Sequence, residues 1–270
     1  MLNIPRFNID DRKNAFDFYK KHGAMIFSDL TNQNDIDKIH KQLHDLISLQ
    51  ISRHMNTNSN FLPGNGFDRG LIEFSHNYDD LRSRLYNITQ GLSSLYAFAV
   101  NPLFEEIAIG IGLKNPIYYT PPQFRFDIPH DDRFLQPPHQ EIRGSKSPNS
   151  VAFLTALCDI PENKGALQVA LGSHKLGPIM PTVDKNMNSR YQYVSRESFE
   201  DKYPLESVSL IEGETLVFNK YTVHASSQNV SDEIRWQTIL RFEDYNSMPY
   251  LNGDDTFEKD FDPQEVFLKN

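Results

Sequence analysis

Two histidines and a carboxylate are the first residues in this chain whose types and spacing suggest chemistry. In Pro137-Pro138-His139-Gln140-Glu141, an extended backbone puts His139 and Glu141 on one face, where an imidazole and a carboxylate can reach one metal ion. Alone the triplet is a weak signal, since a solvated strand end gives the same pattern. His224 lies 85 residues further on, in Tyr221-Thr222-Val223-His224-Ala225-Ser226, after the strand-like run Gly213-Glu-Thr-Leu-Val-Phe218. Two histidines and one carboxylate cover one triangular face of an octahedron and leave three positions open. Iron(II) oxygenases use that arrangement, and three open positions admit a chelating 2-oxo acid and dioxygen.

Arg235 follows His224 by 11 residues, beyond the turn residues Asn229 to Asp232. A strand returning over the same cavity would present its planar fork to a carboxylate, for which arginine is better shaped than lysine. Ser226, two residues past His224, shares its face and offers a hydroxyl to the same carboxylate. Other candidates are weaker. His130 with Asp131 and Asp132 is a second possible ligand group without a partner on another strand. His174 reads as a turn residue, Arg241 as a satisfied structural arginine, Trp236 as a core residue pointing away from Arg235, and Cys158 as buried and inert.

The elements that must position these residues fall into two textures. Up to about residue 115 the chain reads as helical. A short helix carries Ala15, Phe16 and Tyr19, with Asp10 and Asp11 as caps and Gly23 as its stop; Ala24 to Phe27 forms a strand. Ile36, Ile39, Leu43, Leu46 and Ile47 recur at helical spacing, and Leu81, Leu85, Ile88, Leu92 and Leu95 repeat the pattern. Asn101-Pro102 opens another helix. From about 118 to 243, short strand-like runs dominate: Gln123 to Asp127, Ser150 to Cys158, Ala166 to Ala170, Ser207 to Ile211, Thr215 to Phe218 and Arg235 to Phe242. This predicts an antiparallel barrel or sandwich covered by the N-terminal helices. Two long segments, His54 to His76 and Lys175 to Leu205, are lid candidates, with Asn60, Arg69 and Tyr191 as possible contributors. Residues 244–270 form an acidic C-terminal segment.

The 270 residues are 39% apolar, enough for one sizeable core, and no linker divides them, so a single domain over 1–270 is expected. Lys and Arg number 27 against 36 Asp and Glu, a net charge of −9 that argues against nucleic acid or an anionic membrane as partner. One cysteine excludes an internal disulfide and a Cys-rich zinc site. Neither a signal peptide nor an apolar run of membrane-spanning length is visible. A cytoplasmic protein with a small-molecule substrate is expected; the sequence does not give the oligomeric state.

Several motifs in order make the chain resemble the phytanoyl-CoA dioxygenase family. These are His22-Gly23-Ala-Met-Ile-Phe27, Pro138-His139-Gln140-Glu141, Asn163-Lys-Gly165 through Gly172-Ser173-His174, and His224-Ala-Ser226 with Asn229, Ser231, Arg235 and Arg241. The resemblance implies a mainly β fold, a double-stranded β-helix (jelly roll) with flanking helices. It also implies iron(II) held by His139, Glu141 and His224, 2-oxoglutarate anchored by Arg235 and Ser226, and dioxygen. In the family, a strand just before the first metal motif commonly lines the site. Gln123 and Asp127 are thus expected at 2-oxoglutarate or substrate, and Arg125 at substrate. The family usually has aspartate where this chain has Glu141. Halogenating members lack the carboxylate altogether, so Glu141 favours oxygen insertion or desaturation. The expected reaction is hydroxylation of a small molecule with release of succinate and carbon dioxide. The rival readings are a jelly-roll binding module without turnover, and a metal-dependent hydrolase or isomerase with the same ligands. The acidic balance speaks mildly against a polyanionic CoA substrate, while Arg125, Arg133 and Arg143 could still serve a local anionic group.

Overall fold

A computed structural model describes residues 3–55, 67–142, 145–182 and 193–248. In chain order the regular elements begin with β1 (Arg6–Phe7), α1 (Arg12–His22), β2 (Ala24–Phe27), α2 (Gln33–Met55), α3 (Phe67–Asn77), α4 (Asp79–Thr89), α5 (Ser93–Ala99) and α6 (Pro102–Gly110). They continue with β3 (Pro116–Tyr118), β4 (Gln123–Asp127), β5 (Ser150–Ala156), β6 (Gln168–Ala170), β7 (Leu205–Ser207), β8 (Thr215–Asn219), β9 (His224–Ala225) and β10 (Arg235–Asp244).

A seven-stranded sheet has the order β1-β2-β8-β5-β10-β3, with β4 also paired to β10. A three-stranded sheet, β7-β6-β9, lies apart from it. The large sheet has a distinct core on each face, and strand alternation assigns the residues to them. Met25, Phe27, Val151, Phe153, Val217, Trp236, Leu240 and Phe242 join the helical residues Ile36, Ile39, Leu43, Leu71, Leu95 and Phe104 in one cluster. Their neighbours Ala24, Ile26, Ala152, Leu154, Leu216, Phe218 and Ile239 turn the other way, onto Val169 of β6 together with Ala166 and Leu210.

On β4 and β10 the second face becomes polar. Phe124 and Phe126 pack on the helical side, whereas Gln123, Arg125 and Asp127 face the opposite way and are only partly covered. Arg235, Gln237, Arg241 and Glu243 alternate with Trp236, Thr238, Leu240 and Phe242 along β10. Arg235 pairs in register with Asp127, and Gln237 with Arg125. One strand thus carries helical core on one side and charged groups on the other.

Gly23 ends α1 in the left-handed conformation at φ 78°, its N–H donating to the Tyr19 carbonyl. A side chain there would also collide with His174. Asp11 occupies the N-cap position of α1, but its carboxylate accepts from the Asn14 side chain and caps no backbone N–H. Asn101 accepts from the Leu103 N–H at 3.0 Å, with Pro102 next, as the sequence predicts.

The repeat from Leu81 to Leu95 is two helices, α4 and α5, and Ile88 is exposed. The break falls at Gln90-Gly91. There the Gln90 amide donates to the Phe124 carbonyl and accepts from the Phe124 N–H, both at 2.9 Å. This clamp on β4 replaces another turn of helix. Of the lid candidates, residues 67–77 are α3, Arg69 included. Residues 56–66 with Asn60, and 183–192 with Tyr191, lie outside the described residues, as do Arg143 and most of the C-terminal segment. Among the described residues no helix is long and apolar enough to cross a membrane.

Cys158 Sγ accepts from the Trp236 backbone N–H at 3.4 Å, while the Trp236 indole N–H donates to Asp68 Oδ1. Burial pushes the Cys158 thiol up to about 11. Alkylation by iodoacetamide at pH 8 should therefore run roughly 100-fold slower than at an ordinary thiol, since only the thiolate reacts. Mass spectrometry before and after addition of denaturant checks this, and rapid labelling of the folded protein would contradict it.

Candidate metal centre

The segment through His139 runs antiparallel to the one through His224. The His139 N–H donates to the His224 carbonyl at 2.9 Å, the reverse bond is 3.0 Å, and the Glu141 N–H donates to the Lys220 carbonyl at 2.9 Å. The extended pairing keeps His139 and Glu141 on one face, as the sequence predicts, and turns Gln140 away. Gln140 is buried; its amide donates to the carbonyls of Gly177 (2.9 Å) and Tyr221 (2.7 Å) and accepts from the Ile179 N–H (2.8 Å). It ties the ligand segment to two neighbouring loops.

One donor atom from each of His139, Glu141 and His224 lies within 4.8 Å of the others. His224 Nε2 and Glu141 Oε1 are 3.5 Å apart. His139 Nδ1 faces the Pro137 carbonyl at 2.8 Å, and His224 Nδ1 faces the Thr222 carbonyl at 2.9 Å. A carbonyl only accepts, so each Nδ1 carries a proton and each Nε2 is the nitrogen turned toward the site. Burial, reinforced by the neighbouring His224, pushes His139 down to about 3, so it is neutral at physiological pH. Two imidazole nitrogens and a carboxylate form a donor set suited to iron(II) with positions left open.

Arg241, a structural arginine by its sequence context, is instead the main partner of Glu141. Its Nε donates to Oε2 and its Nη2 to Oε1, both at 3.0 Å, and its Nη1 donates to Gln123 Oε1 at 2.6 Å. Burial pushes the Glu141 carboxyl up, but Arg241 and then His224 outweigh it and hold it well below the usual carboxylate range. Gln123 therefore contacts Arg241, which it steadies. Behind Glu141, the buried Lys220 ammonium donates to Ser145 Oγ (2.6 Å) and to the Ser147 carbonyl (2.5 Å).

Arg235 is buried, and its Nε and Nη2 both donate to Asp127 Oδ2, at 3.1 and 2.7 Å. Asp127 thereby orients Arg235, a pairing that spacing alone did not reveal. Gly165, at φ 77°, lies against the third guanidinium nitrogen: a Cβ there would come within 2.9 Å of Arg235 Nη1 and of the Ser227 carbonyl. Ser226 is half-buried, its N–H held by the Gln136 carbonyl at 2.9 Å; its hydroxyl has no hydrogen-bond partner among the described residues. A methyl group at Gly165 would therefore displace Arg235.

Beside the centre a cavity of about 390 Å³ opens, walled by Gln123, Arg125, Asp127 and Arg241 from the strands and by Arg82 and Tyr86 from α4. His130 has φ 57°, and its N–H donates to the Asn229 carbonyl at 2.8 Å. Asp131 pairs with Arg82 and Arg133. Among the described residues His139, Glu141 and His224 are the only group with metal-ligand spacing, and the His130 group is not one. His174 lies in a 3-10 turn against Gly23, as the turn reading has it.

The sequence model of the phytanoyl-CoA dioxygenase (PhyH) family matches residues 19–236. The chain belongs to this family. The match spans most of the chain, including all three candidate ligands and Arg235. Iron(II), 2-oxoglutarate and dioxygen are accordingly its cofactor and co-substrates, and the chain is a non-haem iron, 2-oxoglutarate-dependent enzyme. No curated protein sequence matches it significantly.

Solved structures share the fold at low identity. The epimerase SnoN, in complex with Fe3+, alpha-ketoglutarate and nogalamycin RO, has a TM-score of 0.58 at 17% identity, covering 93% of this chain and 92% of SnoN. AviO1 from Streptomyces viridochromogenes Tue57 has a TM-score of 0.59 at 14% identity, with 88% and 97% covered. The non-heme monooxygenase ThoJ, in its apo form, has a TM-score of 0.57 at 13% identity, with 85% and 77% covered.

Proposed function

We propose that this phytanoyl-CoA dioxygenase family member hydroxylates a small molecule, consuming dioxygen and 2-oxoglutarate and releasing succinate and carbon dioxide. The observation that carries the reading is the convergence of His139, Glu141 and His224, with both Nδ1 atoms tied to carbonyls and both Nε2 atoms left to bind. In this reading residues 1–270 form one catalytic domain. The two-sheet core is a jelly roll, and the N-terminal helices cover its large sheet.

Each residue then has a task. His139 and His224 supply nitrogen donors, and Glu141 supplies a hard oxygen donor. Arg241 holds Glu141 ionised and fixes its orientation, and Gln123 steadies Arg241. Arg235 carries the far carboxylate of 2-oxoglutarate through the guanidinium edge that Asp127 leaves open, with the Ser226 hydroxyl as second donor. Gly165 leaves room for that contact. Arg125 and Asp127 line the substrate side through the polar face of β4. When bound, iron(II) supplies the oxidative decarboxylation of 2-oxoglutarate and the resulting oxidising power. The protein supplies position, charge balance and exclusion of water.

The test is an anaerobic titration of the protein with iron(II) and then 2-oxoglutarate, followed by visible absorption. A charge-transfer band that requires both is expected. Arg235→Ala should keep iron content near normal and raise the 2-oxoglutarate requirement by roughly 30-fold or more, the cost of removing a buried charged partner. Iron binding without the band would point to a hydrolase or isomerase centre. Failure to bind iron at all would point to a binding module.

A further inference from the structure

The cavity beside the metal centre holds more positive charge than its own residues neutralise. Arg241 is matched by Glu141 and Arg235 by Asp127, both through paired hydrogen bonds. Arg82 has Asp131 at 3.2 Å, but its Nε is buried with no hydrogen-bond partner. Arg125 is the exception: its side chain is only 17% exposed, and no described residue accepts a hydrogen bond from it. Its nearest carboxylate oxygen, Asp127 Oδ1, pairs with it at 3.6 Å, beyond hydrogen-bond reach, while Oδ2 of the same group takes both bonds from Arg235.

A guanidinium carries five N–H donors in a planar fork and does not deprotonate. Withdrawing it from water without acceptors is costly, and the cost is recovered when an anion fills the fork. Arg125 of β4 and Arg82 and Tyr86 of α4 wall the same cavity. In the oxygenase reading the far carboxylate of 2-oxoglutarate has its own anchor in Arg235, so Arg125 is left for another ligand.

We infer that the substrate carries an anionic group, a carboxylate or one of like charge and shape, which sits on Arg125. This rests on the oxygenase reading above. It orients the substrate by charge, with the rest of the molecule directed toward the metal centre at Arg241 and Glu141.

The experiment uses the full chain loaded anaerobically with iron(II) and 2-oxoglutarate. Small straight-chain and aromatic carboxylates, and their primary amides, are added as matched probes. Binding beside the iron is read as a change in the charge-transfer band, and productive binding as oxygen-dependent succinate release. Acids should bind about tenfold or more tightly than their amides, the scale of one charged contact. Arg125→Gln should erase that preference and Arg125→Lys restore part of it, with 2-oxoglutarate affinity changed by no more than about twofold. If Arg125→Gln does not fold, the comparison of acid with amide on the unmodified chain decides.

Amides that bind as well as acids, or acids that leave the band unchanged, would overturn the inference. So would an Arg125→Gln variant that loses 2-oxoglutarate as severely as Arg235→Ala, since Arg125 would then belong to the co-substrate. A chain that forms no band with iron(II) and 2-oxoglutarate would instead bring down the oxygenase reading, and this inference with it.

Discussion

Glu141→Ala is expected to abolish iron(II) retention and to reduce oxygen-dependent succinate formation to background. The substitution removes a proposed ligand and also strands Arg241, whose Nε and Nη2 both donate to that carboxylate. An uncompensated buried charge costs about 3–5 kcal/mol, so the variant should also be markedly less stable. The two effects separate in the double variant Glu141→Ala/Arg241→Leu, which strands neither charge. It should recover most of the stability and still hold no iron. Metal content after gel filtration and thermal unfolding give both readouts. One iron retained per chain in Glu141→Ala would remove Glu141 from the ligand set.

Arg241→Leu is expected to have the next largest effect, and of a different kind. Without the guanidinium, Glu141 keeps its burial and loses its main counter-charge, so the metal-free protein should lose about 3–5 kcal/mol, roughly 6–20 °C in Tm for a chain of this size. A divalent ion takes over the neutralisation. The rise in Tm on adding iron(II) or zinc(II) should therefore be larger in the variant than in the unmodified protein. The pH dependence follows from the same balance. In the intact protein Glu141 is held below its ordinary range. The stability it contributes is complete above that range and is lost only as pH falls toward the depressed value. In Arg241→Leu burial prevails, the carboxyl rises, and metal affinity should fail at a higher pH. Equal metal-induced shifts in the two proteins would show that Arg241 is not the partner that matters.

Much of this was legible in the sequence because local rules decide it. The extended His139-Gln140-Glu141 triplet, the alternation of Gln123, Arg125 and Asp127 with two phenylalanines, and the Gly23 stop each follow from chain geometry alone. The parts missed depend on residues far apart in sequence. Arg241 meets Glu141 across 100 positions and Arg235 meets Asp127 across 108, so no periodicity records either pair. The continuous helical repeat to Leu95 failed for the same reason. Its break is made by Gln90 gripping the backbone of Phe124, a contact with a strand the helical pattern does not contain.

Strand β10 places a limit on how this protein can change over evolution. Arg235 and Arg241 are separated by an even number of positions, while Trp236, Leu240 and Phe242 occupy the odd offsets from Arg235 that point into the helical layer. Deleting or inserting one residue between the arginines would send one guanidinium into that layer and one core side chain toward the metal. The parity of this segment is thus fixed from both sides. Length can vary there only in steps of two, and even such a step would shift the register with β4 and β5 along the strand. Lineages that diversify this scaffold should accumulate insertions in the connections between strands and leave the count from Arg235 to Arg241 unchanged.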